Sequence, residues 1–275
     1  MTVVRIGHSP DPDDAFMFYA LTSGKVTAEG LQIEHVLEDI ESLNRRARSG
    51  ELEVTAISAA TYALVADQYR ITDPGASMGK GYGPVLVARE PMDPREIPDR
   101  VVAIPGSHTT AALLLRLYCG DPPLIEVAFD KIPKVVLEGQ ADLGLLIHEG
   151  QITHQAMGLH EVLDLGKTWE RETALPLPLG INVVRRDLGE AVAAALSGAL
   201  RRSIGYAHAH VDEALEYAMK FGRGIDKETC RRFVLMYVND YTLTLGAEGR
   251  QALERLFAMA HQKSLIPQIP PLDPI

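Results

Sequence analysis

The spacing of apolar and polar positions predicts a repeated strand–helix order. VVRIGHS (3–9) is rich in β-branched residues and reads as a strand, and DDAFMFYALTSGK (13–25) carries apolar residues at helical spacing behind Asp and Pro start signals. LQIEHVLED (31–39) reads as a second strand, IESLNRRARSG (40–50) as a helix closed by Gly50, VTAIS (54–58) as a short strand and AATYALVADQY (59–69) as a helix. Such β-α repetition predicts a parallel sheet covered by helices. A second series begins after PVLVARE (84–90) and a Pro-rich connection: RVVAIPG, the helix HTTAALLLRLYCG, IEVAFD, the helix KIPKVVLEGQ and the strand ADLGLLIHE. From LPLPLGINVVRRD (175–187) onward the chain is extended once more and then almost wholly helical to residue 263.

Two crossings, by PVLVARE outward and LPLGINVVRR back, fit an inserted second lobe. The expected division is 1–88 with 178–275 for the first lobe and 89–177 for the second. This is the layout of the type II periplasmic-binding-protein-like α/β fold, whose two lobes enclose a ligand in the cleft between them and close by hinge motion. A length of 275 residues, above the usual size of one compact core, agrees with two lobes. Gly79 to Gly83 lack the strand–turn–helix setting of a phosphate loop and are expected to serve the hinge.

Composition narrows the function classes. A formal net charge of −10 argues against nucleic acid as a partner, because phosphate binding needs a basic surface. Apolar runs such as Ala111 to Leu115 fall far short of the roughly 20 residues that span a bilayer, so no membrane partner is expected. MTVVRIGHSP shows no basic leader and no small-residue cleavage site, from which a cytoplasmic location is expected. Cys119 and Cys230 lack metal-ligand spacing and read as buried thiols. A small-molecule substrate is the partner that remains, and the oligomeric state is left open.

Three segments could carry chemistry. SPDPDD (9–14) joins a strand to a helix N-terminus, where capping is the favoured reading and Asp14 is a possible substrate-binding residue. AIPGSHTTAA places Thr109 and Thr110 at another strand-to-helix turn, a cradle of amides and hydroxyls suited to a carboxylate; Ala56, Ile57 and Ser58 are its first-lobe counterpart. His148 ends the apolar run LGLLI, where an imidazole at the mouth of a buried strand is placed to act as a base. His154, His160, His208, His210 and His261 lie in polar or helical segments and read as surface residues. Motifs for nucleophile elbows, phosphate loops, zinc helices and dinucleotides are absent from the sequence.

SPDPDDAFMFYAL, VLEDIESLNRRA, GSHTTAALLL, LLIHEGQITH and LPLPLGINVVRRDLG together resemble the 1,4-dihydroxy-6-naphthoate synthase family of the futalosine route to menaquinone. The resemblance implies a cofactor-free carbon–carbon lyase that consumes cyclic dehypoxanthinyl futalosine, with the proton acceptor at His148 and substrate contacts at Thr109, Thr110, Ala56, Ile57 and Ser58. A small organic anion-binding protein without catalysis and the sister chorismate dehydratase are the alternatives. The family pattern opens Ser-Pro-Cys-Pro-Asn-Asp and often carries a lysine before the first-lobe serine. Asp11, Asp13 and Ala56 stand at those positions here and predict a more acidic cleft wall.

Overall fold

The computed structural model describes residues 2–275. The chain opens with β1 (Thr2–His8), α1 (Pro12–Thr22), β2 (Leu31–Leu37), α2 (Ile40–Arg48), β3 (Val54–Ser58), α3 (Ala59–Tyr62), β4 (Tyr69–Ile71) and β5 (Ser77–Gly79). A second group follows: β6 (Val85–Ala88), β7 (Val102–Ile104), α4 (Thr110–Cys119), β8 (Leu124–Glu126), α5 (Ile132–Leu137), β9 (Leu143–Leu146), α6 (Gly150–Thr153), β10 (His160–Asp164) and α7 (Leu165–Thr173). The long strand β11 (Leu177–Arg185) then leads into α8 (Glu190–Ala209), α9 (Val211–Ala218), α10 (Lys227–Tyr237), α11 (Asp240–Leu243) and α12 (Gly246–Gln262).

The strands form two sheets, one in the order β2-β1-β3-β11-β4 with β5 also paired to β11, the other in the order β10-β6-β9-β7-β8. Both are mixed, where the sequence pattern predicted parallel pairing. β1 runs parallel to β2 and β3, and β7 runs parallel to β8 and β9, as the β-α units require. β11 lies antiparallel to β3, β4 and β5, and β6 antiparallel to β9 and β10. The cause is connectivity: β11 returns to the first sheet from β10 and α7 of the second, so it is not the closing strand of a β-α-β unit that would have to run parallel. The helix expected over 59–69 closes after one turn, in three-residue turns that bond Leu64 to Thr61 and Val65 to Tyr62, and the chain straightens into β4.

Burial explains the placing of the first site segment. Beyond its first turn α1 is apolar around its whole circumference, and Pro12 through Leu21 are buried, packed on helices α8, α9 and α10 and sharing a core with Val4, Ile6 and Val54 of the first sheet. Its N-terminal turn is therefore desolvated together with the carboxylates it carries. A second apolar cluster runs from Ile57, Tyr62 and Val183 to Leu86, Leu114 and Leu145, so the two sheets share a continuous core on one side of the cleft.

Candidate active site

A cleft of about 660 Å³ lies between the two sheets, at the carboxyl ends of β1, β3 and β9, which is where ligands sit in open α/β sheets. Asp14, Ala56, Ile57, Ser58, Thr109, Thr110 and His148 all line it, so the structure gathers every residue nominated from the sequence. Gln151, Asn182 and Tyr237 line it as well and had not been singled out. Asn182 did leave a signal, a lone amide in the apolar strand LGINVV whose register places it opposite Ala56. Gln151 donates to the Tyr237 hydroxyl at 2.6 Å.

The binding segments are fixed by their own hydrogen bonds. Thr109 caps α4: its hydroxyl accepts from the Ala112 amide at 3.1 Å and donates to the Gly106 carbonyl at 2.8 Å. Thr110 reaches across the cleft, donating to the Leu179 carbonyl at 2.7 Å and accepting from the Ala60 amide at 3.2 Å. Ser58 does not cap α3. Asn44 instead holds it twice, donating to its hydroxyl at 3.0 Å and accepting from its amide at 2.8 Å. Next to the threonines, His108 Nδ1 stands 2.6 Å from Glu41 Oε1 and the His108 amide donates to Glu41 Oε2 at 3.1 Å, tying the second-sheet turn to α2.

The acidic turn is not the set of caps expected from the sequence. Asp11 occupies the N-cap position of α1 but makes no capping bond, and Asp14 reaches back to accept from the Ser9 amide at 2.6 Å. Nor is the wall as acidic as its composition predicts. Asp11 is 0% exposed, and Arg223 donates to its Oδ1. Burial alone would raise the Asp11 pKa, but the nearby charges of His148 and Arg223 hold it below the ordinary carboxylate value. Burial, reinforced by the Asp14 charge, pushes Asp13 up to about 8, so at neutral pH it is largely an uncharged acid. Burial also lifts Asp14 to about 6, against the pull of the Ser9 amide.

His148 faces these acids from the end of β9. Its φ of 52° lies in the left-handed region, where a residue other than glycine is uncommon and strained. Both ring nitrogens are buried without a hydrogen-bond partner, and Nε2 is 3.5 Å from Asp11 Oδ2. The ring of Phe129 packs against the imidazole at 4.9 Å. Burial would lower the His148 pKa, but Asp11, Asp13 and Glu149 outweigh it and raise the value above the ordinary one. His154, expected at the surface, is buried, with Nδ1 against the Gln151 carbonyl at 3.0 Å. Cys119 and Cys230 are buried free thiols.

Among the described residues no cluster of His, Cys, Asp or Glu side chains is arranged to hold a metal ion, and no helix is long and apolar enough to cross a membrane. The chain matches the profile of the family described as "Menaquinone biosynthesis" over residues 4–262. It is 45% identical to the 1,4-dihydroxy-6-naphthoate synthase of Thermus thermophilus over 96% of each chain. A crystal structure of an Archaeoglobus fulgidus protein, 52% identical, superposes with a TM-score of 0.92 over 96% of this chain and 98% of the other. The alkanesulfonate-binding protein SsuA of Xanthomonas axonopodis, bound to MOPS, is 11% identical and superposes with a TM-score of 0.75 over 98% of this chain and 95% of the other. The two-sheet architecture is that of the periplasmic binding proteins.

Proposed function

The chain belongs to the menaquinone-biosynthesis family of 1,4-dihydroxy-6-naphthoate synthases, and on that premise we propose that it is a carbon–carbon lyase converting cyclic dehypoxanthinyl futalosine to 1,4-dihydroxy-6-naphthoate, with His148 as proton acceptor. It would do so in the cytoplasm and without a bound cofactor. The observation that carries this reading is His148 itself: a strained residue whose two ring nitrogens are desolvated and unpartnered at the cleft wall. A fold does not retain strain and an unpaired imidazole at one point without compensation, and such costs collect where function requires them.

His148 takes the proton of a substrate hydroxyl. The O–H electron pair becomes the second bond of a carbonyl, the adjacent carbon–carbon bond breaks in a retro-aldol sense, and its electrons are taken up as an enolate by a carbonyl on the ring side, which the proton held on His148 then neutralises. Loss of the sugar-derived fragment allows the bicyclic remnant to aromatise, which drives the step forward. The first turn of α4, at Thr109 and Thr110, offers backbone amides to the substrate carboxylate, the two hydroxyl protons being held by the Gly106 and Leu179 carbonyls, while Ala56, Ile57 and Ser58 line the same cleft. Asp14, half neutralised near pH 6, is a candidate contact for a substrate hydroxyl. We take the two sheets as the two lobes, closing over the substrate to exclude water from the intermediate; β6 (Val85–Ala88) belongs to the second sheet, so the boundary expected after residue 88 moves ahead of Val85.

The competing reading is capture of a small organic anion without chemistry, as the fold alone would allow. Incubation of purified protein with cyclic dehypoxanthinyl futalosine, and separately with chorismate, followed by liquid chromatography, tests both. Formation of 1,4-dihydroxy-6-naphthoate supports the proposal. Recovery of unchanged compound from a stoichiometric complex favours the binder, and dehydration of chorismate favours the sister activity.

A further inference from the structure

Asp11 and His148 come from different sheets and meet at the cleft wall. The Asp11 carboxylate is fully buried, and its two oxygens have different surroundings. Oδ1 accepts from Arg223, whose other terminal nitrogen, Nη1, donates to Glu149 at 3.2 Å. The Arg223 guanidinium lies 4.6 Å above the Phe129 ring, the same ring that packs against His148. Oδ2 has no hydrogen-bond partner and lies 3.5 Å from Nε2 of His148. A buried carboxylate oxygen without a donor is costly, so an N–H placed before it is strongly favoured.

From this arrangement we infer that Asp11 is the positioning residue for His148: held at one oxygen by Arg223, it fixes the imidazole with the proton on Nε2 and leaves Nδ1 as the proton-accepting atom. The inference rests on the reading of His148 as the base. The logic is that of any base oriented by a buried carboxylate, where the carboxylate selects the tautomer and does not itself take the proton. A separation of 3.5 Å is long for a hydrogen bond, as catalytic contacts commonly are before substrate tightens the site. Because Asp11 belongs to the β1–α1 turn and His148 to the end of β9, the pair is complete only when the two walls of the cleft stand together. The titratable groups around the imidazole are Asp11 and the largely protonated Asp13 from that turn, Glu149 beside it in sequence and Arg223 from the turn before α10; Phe129 supplies the apolar side.

The test is a pH titration of ¹⁵N-labelled protein by long-range nitrogen–proton NMR, with His148→Gln identifying the signal among the nine histidines. The wild-type imidazole is expected in the Nε2–H form. Asp11→Asn is expected to lower the His148 pKa by about 1 unit or more, the effect of removing an opposite charge within roughly 4–6 Å. The acid limb of kcat moves by the same amount, and kcat drops roughly tenfold with KM little changed. Arg223→Met, which removes a like charge, is expected to move the same titration upward. It serves as the second variant should Asp11→Asn fail to fold. An Nδ1–H tautomer in the wild type, or a His148 titration unmoved by both variants, would overturn the inference. The NMR result is independent of turnover: if His148→Gln is fully active, the base assignment fails while the orientation of the ring still stands or falls on the titration.

Discussion

Two strand-to-helix turns, one from each sheet, line the cleft, and they use their polar residues in opposite ways. In the β7–α4 turn nearly everything is spent locally or across the lobe contact: Thr109 caps the helix, Thr110 bonds Leu179 and Ala60, and His108 is tied to Glu41. In the β1–α1 turn the rules are broken. The N-cap carboxylate of Asp11 caps nothing, one oxygen of Asp11 and one of Asp13 are buried without hydrogen-bond partners, and His148 beside them is strained and makes no hydrogen bond, its Nε2 standing 3.5 Å from Asp11. The satisfied turn reads as a preformed cradle and the unsatisfied one as the reactive wall. Local consistency marks structure, and its local failure marks chemistry.

Replacing His148 with Gln is expected to reduce kcat by about 10²–10⁴ with the fold intact by circular dichroism, because a positioned general base is worth that much. Removing the Thr109 hydroxyl should act differently. Thr109→Ala loses a helix cap worth about 1 kcal/mol, so thermal denaturation should show Tm lower by roughly 2–4 °C, with a raised KM and a nearly unchanged kcat. An equal loss of kcat in both variants would erase the distinction between cradle and reactive wall.

The smallest effect is expected at Asp13. Its folded pKa of about 8 lies well above the unfolded value of 3.8. Between those values the folded chain holds a proton that the unfolded chain has lost, so this group makes stability fall as pH rises through that window. Asp13→Asn keeps the neutral shape and removes the titration. Melting curves from pH 4 to pH 8 should therefore show the variant gaining on the wild type as pH rises, with turnover at neutral pH changed by less than about threefold. A gap that does not widen with pH would mean that Asp13 is ionised in the cleft.

Much of this was legible in the sequence because it is local. The β-α order, the strand-to-helix turn at Thr109 and Thr110 and the position of His148 after LGLLI follow from periodicity and from residue types at strand ends, whereas the capping role of Thr109 does not. Strand direction was less accessible: nothing within LPLGINVV says that β11 enters the first sheet from the opposite side. Arg223 was invisible, since its partner Asp11 lies 212 residues away and a lone arginine in a helix-joining turn looks like any solvated charge. The acidic turn misled for the same reason. Its charge count is a sequence property, but its charge state depends on the burial of α1 and on that distant guanidinium.

The most direct test of the central claim is chemical rescue. His148→Ala is assayed on cyclic dehypoxanthinyl futalosine with increasing free imidazole across a pH series. The account predicts a nearly inactive variant whose rate rises with imidazole concentration and follows the neutral imidazole fraction. Turnover by His148→Ala at the wild-type rate, indifferent to imidazole, would contradict it.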